Sequence, residues 1–185
     1  MEKGRFEKDN SVGYLSEHST GGHNFHFRRA IPKDAVRVHE LINYYAREGL
    51  LLPVSLSKLY DNIRDFWLCE TPSGEIIGCA ALHIVWEDLA EIRSLAVSPS
   101  FKGKGIGKTL VELCLNEAQQ LEIKRVFVLT YQVEFFKKLG FREIDKTFLP
   151  HKVWTDCLQC PKFPNCDETA MIKELSKSSK NRTGV

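Results

Sequence analysis

The segment whose spacing carries most chemistry is SFKGKGIGKTLVE, residues 100–112. Gly103, Gly105 and Gly107 alternate with Lys102, Lys104, Ile106 and Lys108 and run into a helical pattern. Glycines let backbone N–H groups come close to an anion, and a helix N-terminus adds roughly half a positive charge. The segment ends in Gly-Lys-Thr like a nucleotide-binding P-loop. That pattern needs a glycine five residues before Gly107, and Lys102 stands there instead. A phosphate is expected at this loop; whose phosphate stays open at this point.

A second cluster is sulfur. Cys157, Cys160 and Cys166 sit in HKVWTDCLQCPKFPNCDE, residues 151–168, with Pro161 and Pro164 between them. Three thiolates, completed by His151 or Asp167, suit a structural zinc. The spacing lacks the second close pair of a standard zinc signature, so reduced thiols and a disulfide stay open beside metal. Cys69, Cys79 and Cys114 lie in apolar stretches and read as buried small hydrophobes.

The elements that must position these groups follow from periodicity. Residues 25–31 alternate and read as a strand; residues 32–50 open with Pro32 and carry Val38, Leu41, Ile42 and Tyr45 on one helical stripe. Residues 55–66 read as a shorter helix with Ser55 or Ser57 as its N-cap. Strands are expected at 66–71, 76–86, 89–97, 125–131, 141–148 and 168–175. Between them come a helix carrying Ile106, Leu110, Leu113, Ala118 and Leu121, and a short helix at 133–140 ended by Gly140. The order β-αα-βββ-α-β-α-ββ is that of an α/β layer structure. Residues 1–24 and 176–185 read as flexible tails around one domain, 25–175, with a cysteine-rich insertion at 150–167.

Composition narrows the class. The chain has 185 residues, 43% of them hydrophobic, enough for one domain with a full core. A net charge of +2, from 26 basic and 24 acidic residues, argues against a nucleic-acid partner. No apolar run reaches membrane-spanning length and the N-terminus lacks the apolar core of a signal peptide, so no membrane association and a cytoplasmic location are expected.

This order, with IRSLAVSPSFKGKGIGKTLVE at its centre, resembles the GNAT superfamily of acetyl-CoA-dependent N-acetyltransferases over roughly residues 25–175. Three motifs carry the resemblance: a strand ending in LAV before Ser-Pro, the family's Arg/Gln-x-x-Gly-x-Gly/Ala loop, and an aromatic short helix closing in KKLGF. Lys102 departs from the loop pattern by standing where Arg or Gln is usual. The expected fold is a central mixed β-sheet of six to seven strands flanked by about four helices. A closer similarity, in GLLLPVSLSKLYDNI, CAALHIVWEDLAEIRSLAV and RVFVLTYQVEFFKKLGF, is to the short, stand-alone N-acetylglutamate synthases. Those lack the kinase-like domain of longer relatives, for which 185 residues leave no room.

The resemblance implies acetyl transfer from acetyl-CoA to a small-molecule amino acid, glutamate, on the way to arginine. The alternatives are transfer to another amine, small or on a protein, and a non-catalytic CoA-binding module. It implies that amides from about Lys102 to Lys108 cradle the CoA pyrophosphate and that Leu95, Ala96 and Val97 pair with the pantetheine arm and polarise the thioester carbonyl. Glu91 is the candidate base: the family places one at this Ala-Glu-Ile position, and strand alternation puts Glu91, Arg93, Leu95 and Val97 on one face. The usual acid, a tyrosine of the short helix, is here Phe136, which leaves Tyr131 or water to protonate the leaving thiolate. Arg93 and Arg28 are the candidates to hold an acceptor carboxylate. His83 is a weaker second base. Any metal would be structural, and a homodimer stays open.

Overall fold

The computed structural model describes residues 16–20, 23–149, 162 and 165–175. One eight-stranded sheet, in the order β1-β2-β3-β4-β5-β6-β8-β7, runs through it. The strands are β1 (Ser16–Thr20), β2 (His23–Arg29), β3 (Phe66–Glu70), β4 (Ile76–Trp86), β5 (Leu89–Val97), β6 (Arg125–Thr130), β7 (Arg142–Glu143) and β8 (Thr169–Glu174). All pairs are antiparallel except β5 with β6, whose parallel pairing is made possible by the crossover helix α3 (Ile106–Gln120). The other helices are α1 (Ala35–Arg47), α2 (Leu56–Asp61) and α4 (Val133–Lys138). Among the described residues no helix is long and apolar enough to cross a membrane.

Four local differences from the sequence reading have physical causes. Strand β1 lies in the segment read as a loose tail; it pairs with β2 from Ser16 opposite Phe27 to Thr20 opposite His23, adding an eighth strand to the expected seven. Pro32–Asp34 forms a 3-10 turn ahead of α1, where the missing proline N–H costs nothing. Ser55 caps α2 as expected, accepting from the Lys58 N–H at 3.2 Å, but the helix stops at Asp61 and Ile63–Asp65 turns as 3-10. The strand expected at 141–148 shrinks to Arg142–Glu143. The Asp145 side chain accepts from the Thr147 N–H at 2.8 Å and winds Lys146–Phe148 into a turn instead.

Two helix layers sandwich the sheet. On one face α1 and α2 bury Val38, Ile42 and Leu59 against Leu68, Cys79 and Ala81; β6 and β8 extend that face with Phe127, Ala170 and Ile172. On the other face α3 sets Ile106, Leu110, Val111, Cys114 and Ala118 against Ala80, Leu82, Ala90 and Ile92, and Phe136 of α4 joins them. Apolar residues at three- and four-residue spacing make that stripe, and its burial is what holds the crossover on the sheet. Cys69, Cys79 and Cys114 are buried free thiols, as read. Burial pushes the Cys69 and Cys79 thiols up to about 12 and raises Cys114 as well.

Arg28 and Arg29 leave β2 on opposite faces. Arg28 meets Asp34 at 2.6 Å and Glu70 at 2.9 Å on the α1 side. Arg29 meets Glu117 of α3 at 2.6 Å and lies over the Trp67 ring.

Candidate functional site

The site begins where two strands part. Strands β5 and β6 pair only from Leu89 opposite Arg125 to Glu91 opposite Phe127. Beyond that point they diverge, and a cleft of about 470 Å³ opens between Ile92–Val97 on one wall and Val128–Gln132 on the other. The gap-side edge of β5 is thereby left as an edge strand, able to take an extended ligand as one more strand.

A β-bulge shapes that wall. Arg93 pairs with Ala81 and Ala96 with Cys79, so β5 spends three steps where β4 spends two. Ser94 takes a left-handed backbone, φ 56°, at the extra residue. Simple alternation fails here. Upstream of the bulge, Glu91 pairs with His83 and Arg93 with Ala81, on the α1 and α2 face. Downstream, Leu95 and Val97 pack with the α3 cluster on the opposite face. The expectation that all four share a face is corrected by this one inserted residue, which sends the charged pair toward one mouth of the cleft and the apolar pair toward the other.

At the α3 mouth the glycine loop supplies backbone. Gly103 and Gly105 adopt φ of 77° and 80°, a region that side chains rarely tolerate. The first bond of the α3 ladder runs from the Thr109 N–H to the Gly105 carbonyl at 3.0 Å. The amides of Ile106, Gly107 and Lys108 therefore precede the ladder, and all three residues line the cleft. A Cβ on Gly107 would stand 3.7 Å from both Phe135 and Val97, in ordinary contact on the cleft wall. Lys102 and Gly103 also line the cleft, with the Lys102 ammonium 4.8 Å from the Tyr45 ring centre. Lys104 does not line it and lies over Phe101 instead. Tyr45, reaching across from α1, donates its hydroxyl to the Val97 carbonyl.

At the other mouth side chains gather. Arg93 lines the cleft; Glu91 does not, and its carboxylate stands 4.0 Å behind the Arg93 guanidinium. His83 holds Asp65 at 2.8 Å through Nδ1, because the shortened α2 brings Asp65 back onto the sheet. Tyr131, at the end of β6, lines the cleft and donates its hydroxyl to Asp167 at 2.5 Å, with the Lys162 ammonium on the same oxygen. Burial and the Asp167 hydrogen bond push the Tyr131 hydroxyl above its ordinary value, which keeps it protonated. Phe136 is 4% exposed and packs edge-to-face on Phe135 and Phe141, so α4 offers no acid there.

Besides Glu91 and Lys104, Arg28 is absent from the cleft lining, its guanidinium held by Asp34 and Glu70. Cys157 and Cys160 lie outside the described residues. Cys166 is a half-buried free thiol, and among the described residues no group of three metal-binding side chains comes together. One residue was missed. Glu168, just before β8, lines the cleft, and burial raises its carboxyl above the usual range while Lys162 and Lys146 pull it down. The only sequence signal for it was its place at the head of an alternating strand.

Known proteins share this fold. The profile of the acetyltransferase (GNAT) family matches residues 35–141, more than half of the chain. An N-acetyltransferase of Chlorobaculum tepidum is 43% identical over 148 residues, 80% of this chain and 95% of that protein. An amino-acid acetyltransferase of Mycobacterium tuberculosis is 41% identical over 131 residues, 70% of this chain and 75% of that one. Among solved structures, N-acetylglutamate synthase of Neisseria gonorrhoeae, complexed with coenzyme A and N-acetyl-glutamate, superposes with a TM-score of 0.75 at 28% identity. That match covers 82% of this chain and 35% of the longer enzyme. A Mycobacterium tuberculosis protein in complex with CoA superposes with a TM-score of 0.72 at 35% identity, covering 81% of this chain and 99% of that one. A parted β5–β6 pair, a bulged β5 and a glycine loop at the start of α3 thus meet a family match over the same residues: the chain belongs to the GNAT acetyltransferases and is an acetyl-CoA-dependent N-acetyltransferase.

Proposed function

We propose that the chain acetylates the α-amine of a free amino acid, glutamate foremost, giving N-acetyl-L-glutamate and CoA as a step toward arginine. The observation that carries the reading is Arg93: a planar fork suited to a carboxylate, set in the wall of the cleft on the side away from the glycine loop. The named activities of the Mycobacterium and Neisseria relatives support the same acceptor class.

In this reading the pyrophosphate of acetyl-CoA lies on the amides of residues 102–108 and the pantetheine arm runs along Leu95, Ala96 and Val97. The acceptor enters from the α1 and α2 side. Its nitrogen forms a bond to the acetyl carbon, the carbon–sulfur bond breaks, and no acetyl-enzyme forms. Glu91 takes the ammonium proton through one water, because its carboxylate stands behind Arg93 rather than in the wall. Tyr131 returns a proton to the departing thiolate. Cys157, Cys160 and Cys166 act, if at all, as a structural zinc site, which elemental analysis of chelator-free protein tests.

The deciding experiment follows thiol release from acetyl-CoA against all twenty amino acids and a set of polyamines and peptides. Glutamate, or a close analogue such as glutamine or aspartate, is expected to give the highest kcat/KM. Polyamines or peptides outcompeting every free amino acid overturn the acceptor assignment.

A further inference from the structure

We propose that Glu168 is an acceptor-binding residue: its carboxylate holds the ammonium of the incoming amino acid while Arg93, on the strand beyond the gap, holds a carboxylate of the same molecule. The inference rests on the amino-acid reading above and adds the second half of the recognition.

Among the described residues lining the cleft, Glu168 is the one acidic side chain. The cleft lining on the α1 and α2 side includes the apolar Leu51 and Leu129. An amino acid enters as a zwitterion, and an ammonium leaving water for such walls needs a negative partner. Glu91 does not line the cleft and already faces Arg93.

The sheet puts the two charges on one side. Along β8, Met171 packs into the α3-side cluster, whereas Ala170 and Ile172 pack into the opposite one. Glu168 stands one residue before β8, and alternation continued back from Ala170 carries it to that opposite side, where Arg93 pairs with Ala81 upstream of the bulge. The end of β6 lies between them. One mouth of the cleft therefore presents a cation and an anion on either side of the end of β6, a charge pattern complementary to a zwitterion.

Lys162 and Lys146 act on the Glu168 carboxyl through space, and each also has a hydrogen-bond partner of its own. Lys162 gives its ammonium to the Tyr131 hydroxyl and, at 3.5 Å, to Asp167. Lys146 donates to the Cys166 carbonyl at 2.8 Å. The Cys166 thiol lies 3.9 Å from a Glu168 oxygen. The pairing also has a consequence for turnover. Acetylation converts the ammonium into a neutral amide, so the product loses its charged hold on Glu168 and keeps the one on Arg93.

The test separates amine recognition from general damage. Steady-state kinetics of the full chain, its Glu168→Gln variant and its Glu168→Asp variant are run with acetyl-CoA and the amino acid that the unaltered protein uses best. The matching N-acetyl amino acid serves as product inhibitor. Losing one charge-assisted hydrogen bond is expected to raise the acceptor KM about tenfold or more in Glu168→Gln. The product inhibition constant and the acetyl-CoA KM should be essentially unchanged, and Glu168→Asp should recover part of the loss. A native acceptor KM, or a product constant that rises in step with it, overturns the proposal alone. Should Glu168→Gln fold poorly by circular dichroism, the same two constants are compared in Glu168→Asp, with the same outcomes deciding. An unaltered protein that acetylates no amino acid overturns the acceptor reading and this proposal with it.

Discussion

The two mouths of the cleft are built from different kinds of group. At the α3 mouth the chemistry is backbone, drawn from the single run of residues 102–108 and shaped by two left-handed glycines. At the other mouth it is side chain, collected from Arg93 on β5, Tyr131 after β6 and Glu168 before β8, with Tyr45 of α1 bracing the strand between them. Backbone recognition depends on local conformation and tolerates exchange of the side chains around it, so in the proposed reading Lys102 can stand where Arg or Gln is usual. Side-chain recognition tolerates no such exchange, but it places few demands on the residues next in sequence.

That contrast is open to attack at four points. The largest expected effect is on the side-chain mouth. Glu91→Gln keeps the shape and removes the base, so kcat at neutral pH should fall roughly 10²-fold or more while acetyl-CoA affinity holds. Raising the pH should restore part of the rate, because solvent then supplies free amine; near-native kcat in the variant would make Glu91 a structural partner of Arg93. At the backbone mouth, Gly107→Val puts a side chain toward Phe135 and Val97 without forcing a left-handed residue. The acetyl-CoA KM should rise about tenfold or more with the fold kept, and a folded variant of native affinity would remove the amides from the binding account.

Arg28 supplies the control, a charged residue that the cleft does not use. Burial works against the Asp34 charge, yet the Arg28 hydrogen bond and the Ile31 N–H hold its carboxyl below the usual range. That stability is present above the unfolded-state pKa and is lost as the pH falls through the lower folded value. Arg28→Met should cost about 1–3 kcal/mol in urea unfolding near neutral pH, lose less on acidification than the parent, and leave the acceptor KM alone. A raised KM in a stable variant would return Arg28 to the site. The smallest effect belongs to the bulge. Ser94→Gly relieves a left-handed residue but loosens the strand, for a net gain under about 1 kcal/mol and a turnover changed less than in Glu91→Gln. A large loss of stability would show that the Ser94 side chain, rather than the backbone path, holds the bulge.

The same contrast decides what the sequence made legible. The glycine loop could be read because its signal is compact: three alternating glycines, a strand before and a helix after. The helix and strand order could be read because burial imposes periods of 3.6 on α1 and α3 and of 2 on β2, while β4, buried on both faces, shows as a continuous apolar run. The bulge could not. One inserted residue changes the face of everything beyond it, and Ser94 carries no glycine to announce its φ. Glu168 escaped for a related reason: its partner across the cleft, Arg93, is 75 residues away (168 minus 93), and only the sheet order joins them. Arg28 could not be told apart in sequence, because a guanidinium on a strand looks the same whether it awaits a ligand or is held by Asp34 and Glu70.

The buried thiols bear on how such a protein can be assayed. CoA leaves the reaction as a free thiol, and an aromatic disulfide reagent that reports it also attacks exposed protein thiolates. Cys69, Cys79 and Cys114 are enclosed, and their raised thiol values keep them protonated at working pH. With six cysteines in the chain, any label the folded protein takes up must fall on Cys157, Cys160 or Cys166. Counting labels before and after denaturation therefore reports the state of that one segment against a silent background of three.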